Sequence, residues 1–397
     1  MRNQITLASA MLVAAGSASA EIVINDFLSF EGFVDMSYVH YDGEADGGLD
    51  GVPSVGIEES GNSFQIDQVE ISWLFDFETV TGQIDLQYED LPGETTSVEQ
   101  AFATYHMDGG NDITAGRYAS MLGFEAFEPT GLYQYSFAYG LPATAGEFTS
   151  LIPAPIDDLL DLAVGTIFPL PLYNQGVKYT HESEDWFFGV SIQDGVYSYS
   201  DRFGGDSDSD GGGYGVEIAG ALKGDNGLSY FAGFAWEDGD GYSLAGAPTG
   251  DTEAWVFNTY VTYETNSWIF AAELNYGQNE WDDVVLSDVN IETESLSGLI
   301  MANYAYSEKA SVTGRISYVD YKIEGDFADV GDADADGELF KYTLAHNYSF
   351  TDNLLLVKEI SYTDGDGDFS ATQGQQNFSG DGDIEELLFA VELLFSF

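Results

Sequence analysis

The chain has 397 residues, and its 69 Asp and Glu against 10 Lys and Arg give a formal net charge of −59. That balance excludes nucleic acid as a partner, since phosphate binding needs a basic footprint. The absence of cysteine excludes disulfides and thiolate metal sites. So acidic a composition would suit a disordered chain, but 25 Tyr, 27 Phe and 6 Trp, with only 9 Pro, recur at strand spacing.

Residues 1–20, MRNQITLASAMLVAAGSASA, read as a secretory signal peptide. Arg2 supplies a basic start, Ile5 to Ala15 an apolar run, and Ala18-Ser19-Ala20 a small-residue cleavage site. Residues 21–397 then form one unit. No later stretch reaches about 18 consecutive apolar residues, so an ordinary membrane helix is excluded. Barrel strands remain open, because each needs only about 9–11 residues with every second one apolar.

Alternation starts at 27–38, where Leu28, Phe30, Val34, Met36 and Tyr38 oppose Ser29, Glu31, Asp35 and Ser37. It continues at 68–77 and 82–88, where Glu70, Asp76 and Asp85 share the polar side. Further strands are expected at 98–106, 111–118, 173–181, 186–193, 214–223, 228–236, 254–263, 267–276, 296–306, 310–321, 339–350, 354–362 and 386–397. The total is sixteen, with 14 to 18 as the range. Short turns such as 78–81, 107–111 and 351–353 alternate with long acidic connections at 41–62, 89–97, 119–172, 194–213, 237–252, 277–295, 322–338 and 363–384. Short and long connections at opposite poles are the habit of a membrane barrel with short periplasmic turns and long external loops. The last strand, ELLFAVELLFSF, has a wholly apolar face of Leu387, Phe389, Val391, Leu393, Phe395 and Phe397. Trp186, Trp236, Trp255, Trp268, Tyr276 and Tyr348 suit interfacial girdles. The fold class is all-β: a single closed antiparallel transmembrane barrel in which 27–38 pairs with 386–397.

Two segments, 111–144 and 172–195, carry a more specific pattern. Its elements are Gly116-Arg117-Tyr118, then Leu122-Gly123-Phe124-Glu125, then Ser136-Phe137-Ala138-Tyr139-Gly140, and finally Gly176-Val177-Lys178-Tyr179. This pattern resembles the outer-membrane β-barrel porins of Gram-negative bacteria known as the beta-barrel porin-2 group. Met121 stands where the family usually has proline, and Arg117 where it usually has lysine. The resemblance implies the cell outer membrane as location, lipid as surroundings, and passive diffusion of small hydrophilic solutes or ions as function. It also implies recognition of the last strand, Phe395 and Phe397 included, by the barrel-assembly machinery. It leaves monomer and homotrimer equally open.

The polar series predicts the interior. Glu31, Asp35, Glu70, Asp76, Asp85, Glu273 and Glu392 are expected there with four cations, Arg117, Lys178, Arg315 and Lys341. Carboxylates in surplus around a narrow water path predict mild cation preference. The 119–172 connection is long enough to fold into the lumen and constrict it. In DSDSDGGGYGVE (206–217), Asp206, Asp208 and Asp210 fit the spacing of a calcium loop, yet no helical period flanks them. Adventitious divalent cations on acidic external loops are the milder reading, and no cofactor is expected. His40, His106, His181 and His346 fall on separate strands without metal-ligand spacing, and no nucleophile elbow is present. The chain reads as no enzyme. The rival functions are a non-conducting structural or adhesive barrel and a secreted soluble β-protein.

Overall fold

The computed structural model describes residues 21–49, 54–89, 96–125, 127–142, 170–197, 213–240, 243–244, 247–248, 251–282, 289–327, 331–373 and 376–397. The wall consists of β1 (Leu28–Leu49), β2 (Val55–Asp76), β3 (Val80–Glu89), β4 (Ser97–Met107), β5 (Asn111–Ala119), β6 (Tyr173–Glu182), β7 (Trp186–Gln193) and β8 (Tyr214–Lys223). It continues through β9 (Leu228–Asp240), β10 (Asp251–Glu264), β11 (Trp268–Trp281), β12 (Val289–Ser307), β13 (Ala310–Phe327), β14 (Gly331–Thr351), β15 (Leu354–Gln373) and β16 (Gln376–Ser396). Successive strands pair antiparallel, and β16 returns to β1 from Ser396 opposite Phe33 to Gly380 opposite Leu49. The result is the closed sixteen-stranded barrel that the alternation predicts. Phe397 completes the seam by exchanging two backbone hydrogen bonds of 2.9 Å with Gly32. A short strand, Ile22–Asn25, lies against the start of β1.

Closure satisfies every edge, which hydrocarbon requires because it offers no water to unpaired backbone groups. The faces are inverted relative to a soluble core. Interior positions are buried and polar, among them Asn258, Asn275, Ser297 and Thr313, while Ile300, Leu344, Ile360 and Phe389 are exposed outside. Short turns at 77–79, 108–110, 183–185, 224–227, 265–267, 308–309 and 352–353 lie at one pole. Aromatic pairs mark both rims of the apolar band. Trp268 stacks on Tyr304 at 4.4 Å beside the short turns, and Trp255 meets Tyr276 at 5.2 Å at the far rim. Tyrosines at that far rim bond to the first carboxylates above them, as Tyr318 Oη does to Glu338 at 2.8 Å.

The expected long connections 41–62, 277–295, 322–338 and 363–384 need correction, because strands run through most of them. β1 and β2 have 22 residues each, and β14 and β16 have 21. The outer face of β15 shows why. It reads Leu354, Leu356, Lys358, Ile360 and Tyr362, then Asp364, Asp366 and Asp368. Lys358 is a single charge within this apolar row, whereas three successive carboxylates facing lipid are disfavoured together, so the hydrocarbon ends near Tyr362. The ladder itself continues above it as an acidic rampart. Like charges oppose one another there, Asp366 facing both Glu338 and Asp383. Burial first, and then these neighbours, raise the Asp366 carboxyl above its ordinary range.

Candidate functional site

After β5 the chain turns inward, and residues 120–125 and 127–142 run along the interior, with one turn of 3-10 helix, Pro129–Gly131, among the described residues. A segment without a ladder must find other acceptors for its amides. Wall carboxylates supply them. Glu217 accepts the Met121 amide at 2.6 Å and the Ser120 hydroxyl at 2.8 Å. Glu273 accepts the Phe124 amide and the Tyr139 hydroxyl, both at 2.7 Å. Glu359 Oε2 accepts the Tyr135 amide at 2.8 Å and the Ser136 amide at 3.0 Å, while Oε1 accepts the Ser136 hydroxyl. Burial, followed by the facing Glu273 carboxylate, pushes the Tyr139 hydroxyl well above its ordinary range, so it remains a donor. Glu237 treats the start of the next long connection likewise, accepting the Val196 and Tyr197 amides.

Apolar sockets fix the same segment. A Cβ on Gly189 would lie 2.3 Å from Met121 Sδ, and one on Gly233 2.2 Å from Leu122 Cδ2. Those glycines, with Ala219, Ala221 and Ala235, leave space in the wall for Met121 and Leu122. A second cluster packs Phe124, Tyr133 and Ala138 against Ala271, Leu299 and Met301. On β13, beside the second cluster, the buried Arg315 guanidinium pairs with Glu125 and reaches Ser136 and Thr343. Glu125 also accepts the Gln134 amide group and the Ala138 amide, both at 2.8 Å. Arg315 thus neutralises a carboxylate of the inner segment, not one of the wall.

Two bulges add acids to the interior. Asp35 pairs with Gln68 and Met36 with Ile66, leaving Asp67 as an extra residue on β2. Asp85 pairs with Gln100 and Leu86 with Val98, leaving Glu99 extra on β4. A bulge re-aims side chains that strict alternation would send elsewhere. Asp67 lies 3.4 Å from the Tyr135 hydroxyl that donates to it. It helps line a cavity of about 720 Å³ between the inner segment and β1, β2, β14, β15 and β16. The charged groups of that cavity are Asp35, Asp67, Glu386, Glu392 and Lys341.

The expected interior residues divide accordingly. Asp35, Glu70, Asp85, Lys178, Glu273, Arg315 and Glu392 are buried on the inner face. Glu31 shares their parity and is half-buried, and Lys341 donates to the Phe137 carbonyl at 3.2 Å. Both oxygens of Asp85 take amide donors, from Gln83 and Gln100. Lys178 sits 4.3 Å above the Tyr118 ring. One assignment is corrected, that of Asp76. Arg117 shares its parity with the exposed Ile113, but its Nε is buried and its guanidinium lies 5.8 Å from the ring of Tyr173, whose hydroxyl donates to Glu128 of the inner segment. Asp76 is exposed at the end of β2, where it accepts the Glu78 amide at 2.9 Å and closes the short turn. The alternation had not singled out Glu99, Glu217, Glu237 or Glu359, nor Asp67.

The motif glycines have a steric reason. Gly116 and Gly176 face each other across β5 and β6, and a Cβ on either would come within about 2.2 Å of a neighbouring strand's carbonyl oxygen, Ala101 or Ile192. Gly116 also adopts φ +132°, which disfavours any side chain. Gly123 has φ +105°, and its amide donates to Asn258 at 3.1 Å. Gly140 helps line the cavity.

Asp206, Asp208 and Asp210 lie outside the described residues, as do 1–20 and 143–169. Thr81, His106 and Asp112 do form a chain of 2.9 and 2.8 Å contacts. Thr81 is buried within the wall, and the chain ties β3, β4 and β5 together near their short turns.

The family model described as "Putative beta-barrel porin-2, OmpL-like" matches residues 166–397. No curated protein matches the sequence. Among solved structures, the outer membrane channel DcaP of Acinetobacter baumannii is similar with a TM-score of 0.55 and 11% identity, over 93% of this chain and 97% of that one. The outer-membrane expressed OmpT of Vibrio cholerae gives 0.50 and 14%, over 95% and 100%. An anion-selective porin from Comamonas acidovorans gives 0.50 and 11%, over 93% and 99%. At these identities the likeness is one of fold.

Proposed function

Given that the chain belongs to the beta-barrel porin-2, OmpL-like family of outer-membrane barrels, we propose that it is a narrow channel for small hydrophilic solutes and ions with mild cation preference. The family is one of porins, not of enzymes. One observation carries the reading of charge: the cavity beside the inner segment presents four carboxylates, Asp35, Asp67, Glu386 and Glu392, against the single ammonium of Lys341. Fixed charges along a narrow water path bounded by low-dielectric walls focus their field on the passing ion. The sign differs from that of the anion-selective Comamonas porin and follows from the residues present here.

Segment 120–142 is the constriction in this reading. Glu217, Glu273 and Glu359 hold it, so their charge serves the scaffold more than selectivity. Small polar solutes pass on the β1–β2 and β14–β16 side, where the cavity lies, while the β7–β11 side is filled by Met121, Leu122 and Phe124. Export depends on residues 1–20, and the barrel-assembly machinery recognises the end of β16.

That packing also favours a second reading, a barrel closed to ions and serving structure or adhesion. Single-channel recording on refolded protein separates the two. Discrete conductance steps together with swelling of protein-loaded liposomes in small sugars support the channel. A silent bilayer with correctly folded, heat-modifiable protein contradicts it.

A further inference from the structure

Among the described residues, three interior carboxylates bring their oxygens close enough together to share one ion. Glu70 comes from β2, Glu99 from the bulge in β4, and Glu128 from the inner segment. One oxygen of each lies within 4.8 Å of the other two. Several other interior acids are taken up by donors: Glu217, Glu273 and Glu359 hold backbone amides, and Asp85 holds two glutamines. Here Glu70 Oε1 accepts the Ser72 hydroxyl at 2.8 Å, while Glu128 accepts Gln68 at 3.0 Å and the Tyr173 hydroxyl at 2.9 Å. Glu70 Oε2 and Glu99 Oε2 are buried without a hydrogen-bond partner, on residues only 7% exposed. Among the described residues no cation pairs with any of the three, and Arg117 stops over the Tyr173 ring.

The local backbone reinforces the arrangement. Glu128 occupies the N-cap position of Pro129–Gly131, yet its side chain makes no capping bond and is directed to the wall instead. Glu99 faces inward because of the bulge. Two irregular features therefore converge on one point, where three negative groups meet with oxygens to spare. Buried like charges this close repel strongly unless something positive lies between them.

We propose that Glu70, Glu99 and Glu128 bind one hard divalent cation, Ca²⁺ in preference to Mg²⁺, which clamps the inner segment to the β2–β4 wall. An all-oxygen set suits both ions. Carboxylates that bind through one or two oxygens, with water completing the shell, suit the six to eight ligands of Ca²⁺ better than the strict octahedron of Mg²⁺. The site is distinct from the acidic rampart and from Asp206, Asp208 and Asp210, and it does not depend on whether the barrel conducts.

The test is calcium binding to the EDTA-stripped, folded barrel in detergent at neutral pH and 0.15 M KCl, followed by equilibrium dialysis with radioactive calcium. The salt weakens diffuse binding to the exterior. The expected result is one saturable site, weakened at least tenfold in Glu128→Gln and in Glu70→Gln. It should be unchanged when Asp364, Asp366 and Asp368 are all replaced by Asn. Mg²⁺ should compete at least tenfold less well. Heat-modifiable mobility confirms folding of each variant, and Glu70→Gln tests the site without altering the inner segment. The proposal is overturned if the parent shows no saturable site, if both Gln variants bind like the parent, if only the exterior variant loses binding, or if Mg²⁺ competes equally.

Discussion

Glu359 is the sharpest lever on the inner segment. Its carboxylate accepts two backbone amides and one hydroxyl from Tyr135 and Ser136. Glu359→Ala removes all three acceptor contacts and leaves two amides facing the space vacated. An unsatisfied buried donor costs about 1–3 kcal/mol, so two cost about 4 kcal/mol at the middle of the range. That equals roughly a thousandfold rise in the local opening equilibrium at about 1.4 kcal/mol per decade. Glu359→Gln retains one carbonyl oxygen for both amides but loses the charge and the second oxygen, which accepts the Ser136 hydroxyl, about 2 kcal/mol or less. Hydrogen exchange at 133–138 should therefore accelerate in the order parent, Gln, Ala, with exchange in the β9–β11 wall unchanged. Single-channel records should become noisier in the same order. Equal exchange in the Ala variant and the parent would refute the claim that wall carboxylates hold this segment.

Gly233→Val should displace Leu122 from its socket, costing about 1–3 kcal/mol by overpacking; denaturant unfolding checks this, and the neighbouring change Ala232→Val on the opposite face should have little effect. Deleting Phe397 removes the two-bond seam to Gly32 and the ring contact with Phe30 at 6.3 Å; outer-membrane yield should fall and periplasmic degradation rise. Asp366 has a carboxyl raised in the folded barrel, so folding favours its protonated form and the rampart gains stability as pH falls through that raised pKa toward the ordinary Asp range near 4. Exchange at 363–369 should slow as pH falls toward the ordinary Asp range, after correction for intrinsic rates, and the change should vanish in Asp366→Asn.

The barrel was legible because lipid imposes a period of two that survives any particular choice of residues. All sixteen strands follow it, and the seam between β1 and β16 follows from an apolar face ending at Phe397. The height of the wall was not legible. An outer face that changes from Tyr362 to Asp364 loses its apolar signal while the ladder continues, so a reading based on hydrophobic alternation stops at the membrane surface. The interior was half legible. Glu217 sits between apolar neighbours of opposite parity, Val216 and Ile218, so the signal for it was present; Glu359 lies between Lys358 and Ile360, and the lysine on the outer face blurred the alternation there. Asp67 and Glu99 carried none, since a bulge resets the count within a strand.

The central claim is that acids lining the cavity beside the inner segment set the sign of ion preference. The most direct measurement is the zero-current reversal potential across a KCl gradient, recorded for the parent and for the combined Asp35→Asn, Asp67→Asn and Glu392→Gln variant. The parent should show a cation-selective potential, larger at low salt, that moves toward zero in the variant. An anion-selective parent, or a variant with the parent's potential, would contradict it.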